Sequence, residues 1–122
     1  MMATAIRRAD AHWHSALTTG TGEVTLESGA CEPLGISWPE RVEDPNGQTS
    51  PEDLLAAAQA ACFAMAFTAV LGCEARHPER LDVHLAIPLD PAEPGGCKVS
   101  RSHITVRAVA GEITIDATMT NS

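Results

Sequence analysis

Four cysteines (Cys31, Cys62, Cys73 and Cys97) and five histidines carry most of the chemistry open to this chain. No two cysteines form a C-x-x-C pair, so a disulfide framework or a structural zinc site is poorly supported and reduced thiols are expected. Cys62 stands inside an alanine-rich apolar run. Read from its surroundings alone, it is a small hydrophobe in a core helix, with the inertness of a thiol among hydrocarbon. The same residue becomes a nucleophile if the fold brings a cation to it, and Arg41 and Arg80 are the candidates. The residues by themselves leave both readings open. His12 and His14 share one side of a predicted strand, with His84 and His103 on others. Such pairs can hold a metal with a third ligand, but solvated histidines on a sheet face are far commoner, and no metal is expected. A Cys62–histidine hydrolase would need His77 or His103 as base, and nothing in the spacing places either beside the thiol.

The elements that must position these groups follow from periodicity. Ala11–Leu17 and Glu23–Ser28 alternate as strands, with a turn expected at Thr18–Gly22. Gly35–Trp38 reads as a short strand halted by Pro39, followed by a polar loop from Glu40 to Thr49 with a turn at Pro45-Asn46-Gly47. The acids Glu40, Glu43 and Asp44 read as a solvated edge of that loop. Ser50-Pro51-Glu52-Asp53 then combines an N-cap residue, proline in the first turn and acids where the helix dipole favours them. The run Leu54–Leu71 that follows is apolar nearly all round, which predicts a helix surrounded by protein, with Gly72 as its C-cap. Alternation returns at Leu81–Ile87, at Val99–Ala108 and at Glu112–Met119, where Ile113, Ile115, Ala117 and Met119 are expected to point inward. The last two runs suit a hairpin through Ala110-Gly111, and Asp90–Gly96 reads as a loop. The order is strands, one helix, strands: an α+β chain forming a single domain over residues 1–122.

The stretch Ser50-Pro51-Glu52, a series of mostly small residues, then Ala61-Cys62-Phe63-Ala64-Met65-Ala66 resembles the signature helix of the OsmC/Ohr family of osmotically inducible and organic hydroperoxide resistance proteins. Ala11-x-Trp13, Gly20-x-Gly22 and Ser28-Gly29 are similar to the first hairpin of its OsmC branch. The resemblance implies antiparallel strands around a buried central helix, in an intertwined homodimer with sites at the interface. It also implies a cytoplasmic thiol peroxidase of oxidative-stress defence, which reduces organic hydroperoxides to alcohols without a cofactor. Cys62 matches the peroxide-attacking cysteine, Arg41 the arginine that activates it, and Glu52 the glutamate that holds the arginine. A guanidinium beside a thiol favours the thiolate and stabilises the departing alkoxide, while a carboxylate fixes the guanidinium fork. Phe63, Met65 and Phe67 are the expected contacts for an alkyl or lipid chain. Ten helical residues rise roughly 15 Å, so Glu52 acts on Cys62 only through Arg41 or across a subunit boundary.

Family members usually resolve the oxidised thiol with a second cysteine on a second long helix. Here Val106–Ala110 runs almost directly into Gly111–Ile115, so that segment is expected to be missing. Cys97-Lys98-Val99-Ser100 resembles the resolving motif only in outline and is the possible resolving thiol. Cys73 lies about 16 Å along the helix from Cys62, too far for an intrachain disulfide, and Cys31 reads as structural. Two functions follow: a one-cysteine peroxidase completed by an external thiol or dithiol reductant, or a shortened, non-catalytic OsmC-like dimeric binding or structural module.

Composition excludes other classes. The chain of 122 residues carries a net charge of −8 and only 3% aromatic residues, which opposes phosphate binding and leaves no stacking platform for bases, so no nucleic acid partner is expected. The start of the chain has no apolar core of signal-peptide length. The Leu54–Leu71 run approaches a membrane span in length, but its many alanines and unmarked ends predict a soluble helix and no membrane partner.

Overall fold

Alternating residues at Ala9–His14 and Thr21–Leu26 form strands β1 and β2, paired antiparallel, and β3 (Leu34–Ile36) adds to the free edge of β2. The computed structural model describes residues 4–73, 77–92, 96–99, 101–110 and 113–121, with backbone alone at 92, 110 and 113–121. The chain divides into two units, Met1–Pro51 and Glu52–Ser122.

In the first unit the register sorts side chains onto two faces. Asp10↔Thr25, His12↔Glu23 and His14↔Thr21 are polar pairs, while Ala9↔Leu26, Ala11↔Val24 and Trp13↔Gly22 are apolar ones. The turn falls earlier than the expected Thr18–Gly22. β1 ends at His14, Ser15 takes φ +76°, and Gly20 N donates to Ala16 O at 2.7 Å. Gly22 is a strand residue, opposite Trp13, and the position takes glycine because the Trp13 ring lies over it. A Cβ there would stand 2.7 Å from the Trp13 Cε3 and 2.5 Å from the His12 carbonyl oxygen.

The expected Gly35–Trp38 strand forms as far as Ile36 in β3, and the expected loop after it opens with a helix instead, α1 (Trp38–Val42). Ser37 is its N-cap, and its hydroxyl oxygen accepts from Glu40 N at 3.4 Å. Pro39 stands in the first turn, where its missing N–H has no partner to lose, so it starts a helix here rather than stopping a strand. The turn at Pro45-Asn46-Gly47 forms as expected, with Gln48 N donating to Pro45 O at 2.8 Å.

Helix α2 (Pro51–Cys73) begins at the predicted proline, with Glu52 and Asp53 in its first turn. It runs through Gly72 to Cys73, so Gly72 is a helical residue rather than the cap. In the second unit β4 (Arg80–Ala86), β7 (Ser102–Ala110) and β8 (Ile113–Asn121) form an antiparallel sheet in the order β4-β7-β8. β7 and β8 pair as far as Ala110↔Ile113, so two residues, outside the described ones, connect them. The inward side chains expected at Ile113, Ile115, Ala117 and Met119 also lie outside the described residues. Part of the expected Asp90–Gly96 loop is a small hairpin of β5 (Asp90–Ala92) and β6 (Gly96–Lys98).

The core of this unit is Leu85, Ile104 and Val106, against which Ala56, Ala60 and Phe63 of α2 pack together with Leu81, Val83 and Ile87. Each fully buried aliphatic side chain contributes roughly 1.5–3 kcal/mol. The i, i+4, i+7 spacing of residues 56, 60 and 63 gives α2 one packed stripe. The expectation of a helix enclosed by protein is not met within one chain. Among the described residues of α2 only Glu52 is buried, and Met65 and Val70 are 74% and 60% exposed. Its apolar composition runs all the way round, yet the described packing against the sheet lies along one stripe. By length and a mean hydropathy of 2.0, α2 would also suffice to cross a membrane.

Candidate functional site

Cys62 lies on α2 one residue before the packed stripe, and its side chain is exposed. It opens into a groove of about 480 Å³ lined by Gln59, Cys62, Phe63, Ala66, Leu85, Ser102 and Ile104. The helix supplies one wall through residues 59, 62, 63 and 66, spaced on one flank, and β4 and β7 supply the other. Leu85 and Ile104 face the groove because they are register partners with the same inward orientation. Hydrocarbon from Phe63, Ala66, Leu85 and Ile104 surrounds a thiol that solvent reaches, with the Gln59 amide and Ser102 hydroxyl as the polar groups. An oxygen bearing an alkyl tail fits such a lining.

Phe63 and Phe67 stack at 5.9 Å between ring centroids with an interplanar angle of 11°, which holds the Phe63 ring at the groove. Of the three expected chain contacts, Phe63 lines the groove and Phe67 supports it from the next turn. Met65 points elsewhere and is not a lining residue. No Lys, Arg or His is among the seven. Arg80, one of the two cation candidates, pairs instead with Asp82, Nε to Oδ1 at 2.9 Å.

Arg41 belongs to the first unit. Its guanidinium carbon stands 5.7 Å from the Trp38 ring centroid, a cation–π contact that fixes the side chain across α1. Around it is a smaller cavity of about 200 Å³ lined by Trp13, Leu17, Ile36, Ser37, Trp38, Arg41, Ser50 and Pro51. Glu52 opens the second unit, 9% exposed, ten residues before Cys62. The structure therefore gathers Cys62 with Phe63 and Phe67, and sets Arg41 among two indoles in a separate unit.

Cys97 is exposed on β6, opposite Pro91. Cys31 and Cys73 are exposed as well. His12 and His14 share a face with Glu23, the register partner of His12, beside a cavity of about 400 Å³. Among the described residues no three His, Cys, Asp or Glu side chains form a group that could hold a metal ion.

Gln59, Leu85, Ser102 and Ile104 were not singled out by sequence reasoning. Gln59 had a signal, as a polar residue one turn before the cysteine in an otherwise greasy run. The strand residues had none, because only register decides which of them meets the helix.

Comparison with known proteins starts from architecture. The fold is that of the organic hydroperoxide resistance protein OhrB of Bacillus subtilis, with a TM-score of 0.60, 22% identity, and coverage of 87% of this chain and 73% of that one. An organic hydroperoxide resistance protein OsmC from Legionella pneumophila matches with a TM-score of 0.57 and 25% identity, over 84% of this chain and 69% of that one. These neighbours define the class as α+β proteins of OsmC-like fold. In sequence, the chain is 35% identical over 89 residues to Peroxiredoxin OsmC of Escherichia coli (strain K12), a match over 73% of its own length. Together these findings show that the chain belongs to the OsmC/Ohr family. It spans 62% of the length of the curated relatives it matches, and no family model matches it.

Proposed function

We propose that this protein is a thiol peroxidase that reduces organic hydroperoxides to alcohols. The observation that carries the reading is the accessible Cys62 thiol at an open hydrocarbon groove, on the helix that resembles the signature of hydroperoxide-reducing relatives. The Cys62 thiolate attacks the outer peroxide oxygen, an S–O bond forms, the O–O bond breaks, and the alkoxide leaves as alcohol after taking a proton. The sulfur becomes sulfenic acid. Arg41 is the group that stabilises the thiolate and the alkoxide, and Glu52 is the carboxylate that orients Arg41. The groove receives the alkyl part of the substrate, with Phe63 as its aromatic wall.

In this reading residues 1–122 act as one OsmC-like domain in a cytoplasmic homodimer that defends against oxidative stress. A second copy would supply the cover that α2 lacks within one chain, where Leu55, Met65 and Val70 are 38%, 74% and 60% exposed. An external thiol or dithiol returns the enzyme to its reduced form.

A second reading, a non-catalytic OsmC-like dimeric module, draws on two observations: the groove residues include no cation, and β7 passes into β8 through two residues without an intervening helix. One experiment separates the readings. Reduced protein is mixed with cumene hydroperoxide, and the products are followed by intact mass and a sulfenic-acid probe. The peroxidase gains one oxygen at Cys62, alcohol accumulates, and Cys62→Ser abolishes both. Peroxide consumption no faster than that of free cysteine supports the module instead.

A further inference from the structure

Helix α2 carries two stripes. One, with Ala56, Ala60 and Phe63, packs on its own sheet. The other passes through Leu55, Ala58, Cys62, Met65, Ala69 and Cys73, every one of them exposed. The spacing from Leu55 to Ala69 alternates three and four residues, the repeat that lets one helix seat its side chains against another. No charged residue occurs between Leu54 and Cys73 in a chain of net charge −8. A second copy of this helix therefore meets no like charge along this stripe, and Ala58, Ala66 and Ala69 allow the backbones to approach closely.

Eleven residues separate Cys62 from Cys73, about three turns, so both thiols fall on one side of α2, roughly 16 Å apart along its axis. Disulfides need Cα atoms within about 7 Å, so the two cannot pair within one chain. Two such helices packed antiparallel about a two-fold axis between Phe67 and Thr68 change that. They set Cys62 opposite Cys73 of the partner subunit, Met65 opposite the partner's Val70, and Ala66 opposite the partner's Ala69. The small residues lie nearest the crossing, where close approach is required.

We infer that the partner's Cys73 is the resolving thiol for Cys62. The inference rests on the peroxidase reading above. After the hydroperoxide has oxidised Cys62 to sulfenic acid and left as alcohol, the thiolate of the partner's Cys73 attacks the Cys62 sulfur. An S–S bond forms, the S–O bond breaks, and the sulfenic hydroxyl leaves as water with the one proton released by the attacking thiol. An external dithiol then reduces the intersubunit disulfide. The absence of a helix between β7 and β8 is thereby met by a cysteine on the first helix of the other subunit.

The test oxidises the full-length reduced protein with stoichiometric cumene hydroperoxide, followed by non-reducing gel electrophoresis and mass mapping of the cross-link. Expected is a covalent dimer joined between residues 62 and 73, lost in Cys62→Ser and in Cys73→Ser, and retained in Cys31→Ser and Cys97→Ser. Cys73→Ala with circular dichroism controls for folding, and in both Cys73 variants the sulfenic-acid signal at Cys62 persists. A cross-link that survives Cys73→Ser, one that maps to Cys31 or Cys97, or Cys62 stalled as sulfenic acid in the wild type overturns this inference alone. Failure of Cys62 to oxidise at all overturns the peroxidase reading on which it rests.

Discussion

The groove beside Cys62 makes a quantitative demand on substrate choice. Phe63, Ala66, Leu85 and Ile104 offer hydrocarbon to whatever the peroxide carries, and the groove is open along one side, so about half of a nine-carbon cumyl group leaves water on binding. Four to five methylene equivalents at about 0.8 kcal/mol each give roughly 3–4 kcal/mol, or a preference of about 10²- to 10³-fold for cumene hydroperoxide over hydrogen peroxide in the rate constant of Cys62 oxidation. The perturbation is Ser102→Asp. Ser102 is half-buried at the start of β7 and lines the groove, so an aspartate there sets a carboxylate against the bound alkyl group. Losing the equivalent of one or two methylene contacts at about 0.8 kcal/mol each costs roughly 0.8–1.6 kcal/mol, and the preference falls about 4- to 15-fold. Any influence of the new charge on the thiolate is common to both peroxides and cancels in the ratio. Quenched-flow intact mass measures both rate constants on each variant. Equal rates for the two peroxides in the wild-type protein, or a ratio untouched by Ser102→Asp, refute the assignment of this groove to substrate.

Three stability predictions rest on individual contacts and are read by urea denaturation. Gly22→Ala destabilises by about 1–3 kcal/mol, because the added methyl meets the Trp13 ring and the His12 carbonyl of its own sheet. Leu85→Ala costs about 2–5 kcal/mol, since Leu85 is one of the three buried hydrophobic residues among those described in the second unit. Ser37→Ala removes the acceptor for the Glu40 backbone N–H and costs about 0.5–2 kcal/mol; Ser37→Thr restores most of it.

What the sequence discloses and what it hides have physical causes. Helix α2 is legible because the Ser50-Pro51-Glu52-Asp53 start and an unbroken apolar run agree with each other, and the alternation of β4 and β7 is legible for the same reason. Helix α1 is hidden by Trp38-Pro39, which reads as a strand being stopped until Ser37 is seen to cap it. Strands β5 and β6 have three residues each, too short for any periodicity to emerge among prolines and glycines. The proposed reactive position, Cys62, is found through motif resemblance rather than through composition, which alone would bury it as an inert hydrophobe. The groove that exposes it depends on the β4–β7 register, a long-range property that no local pattern encodes. The uncovered side of α2 is a similar case: composition says that the helix is to be enclosed, but not by which chain.

The central claim is that Cys62 reacts with peroxide because a guanidinium assists it. The most direct measurement is the rate constant for Cys62 oxidation by cumene hydroperoxide in the wild-type protein, in Arg41→Ala and in free cysteine at the same pH. The account predicts a wild-type rate far above that of free cysteine and a loss of about 10²- to 10³-fold on removing Arg41, the scale of one oxyanion-stabilising group. A wild-type rate equal to that of free cysteine, or an Arg41→Ala rate equal to wild type, contradicts it.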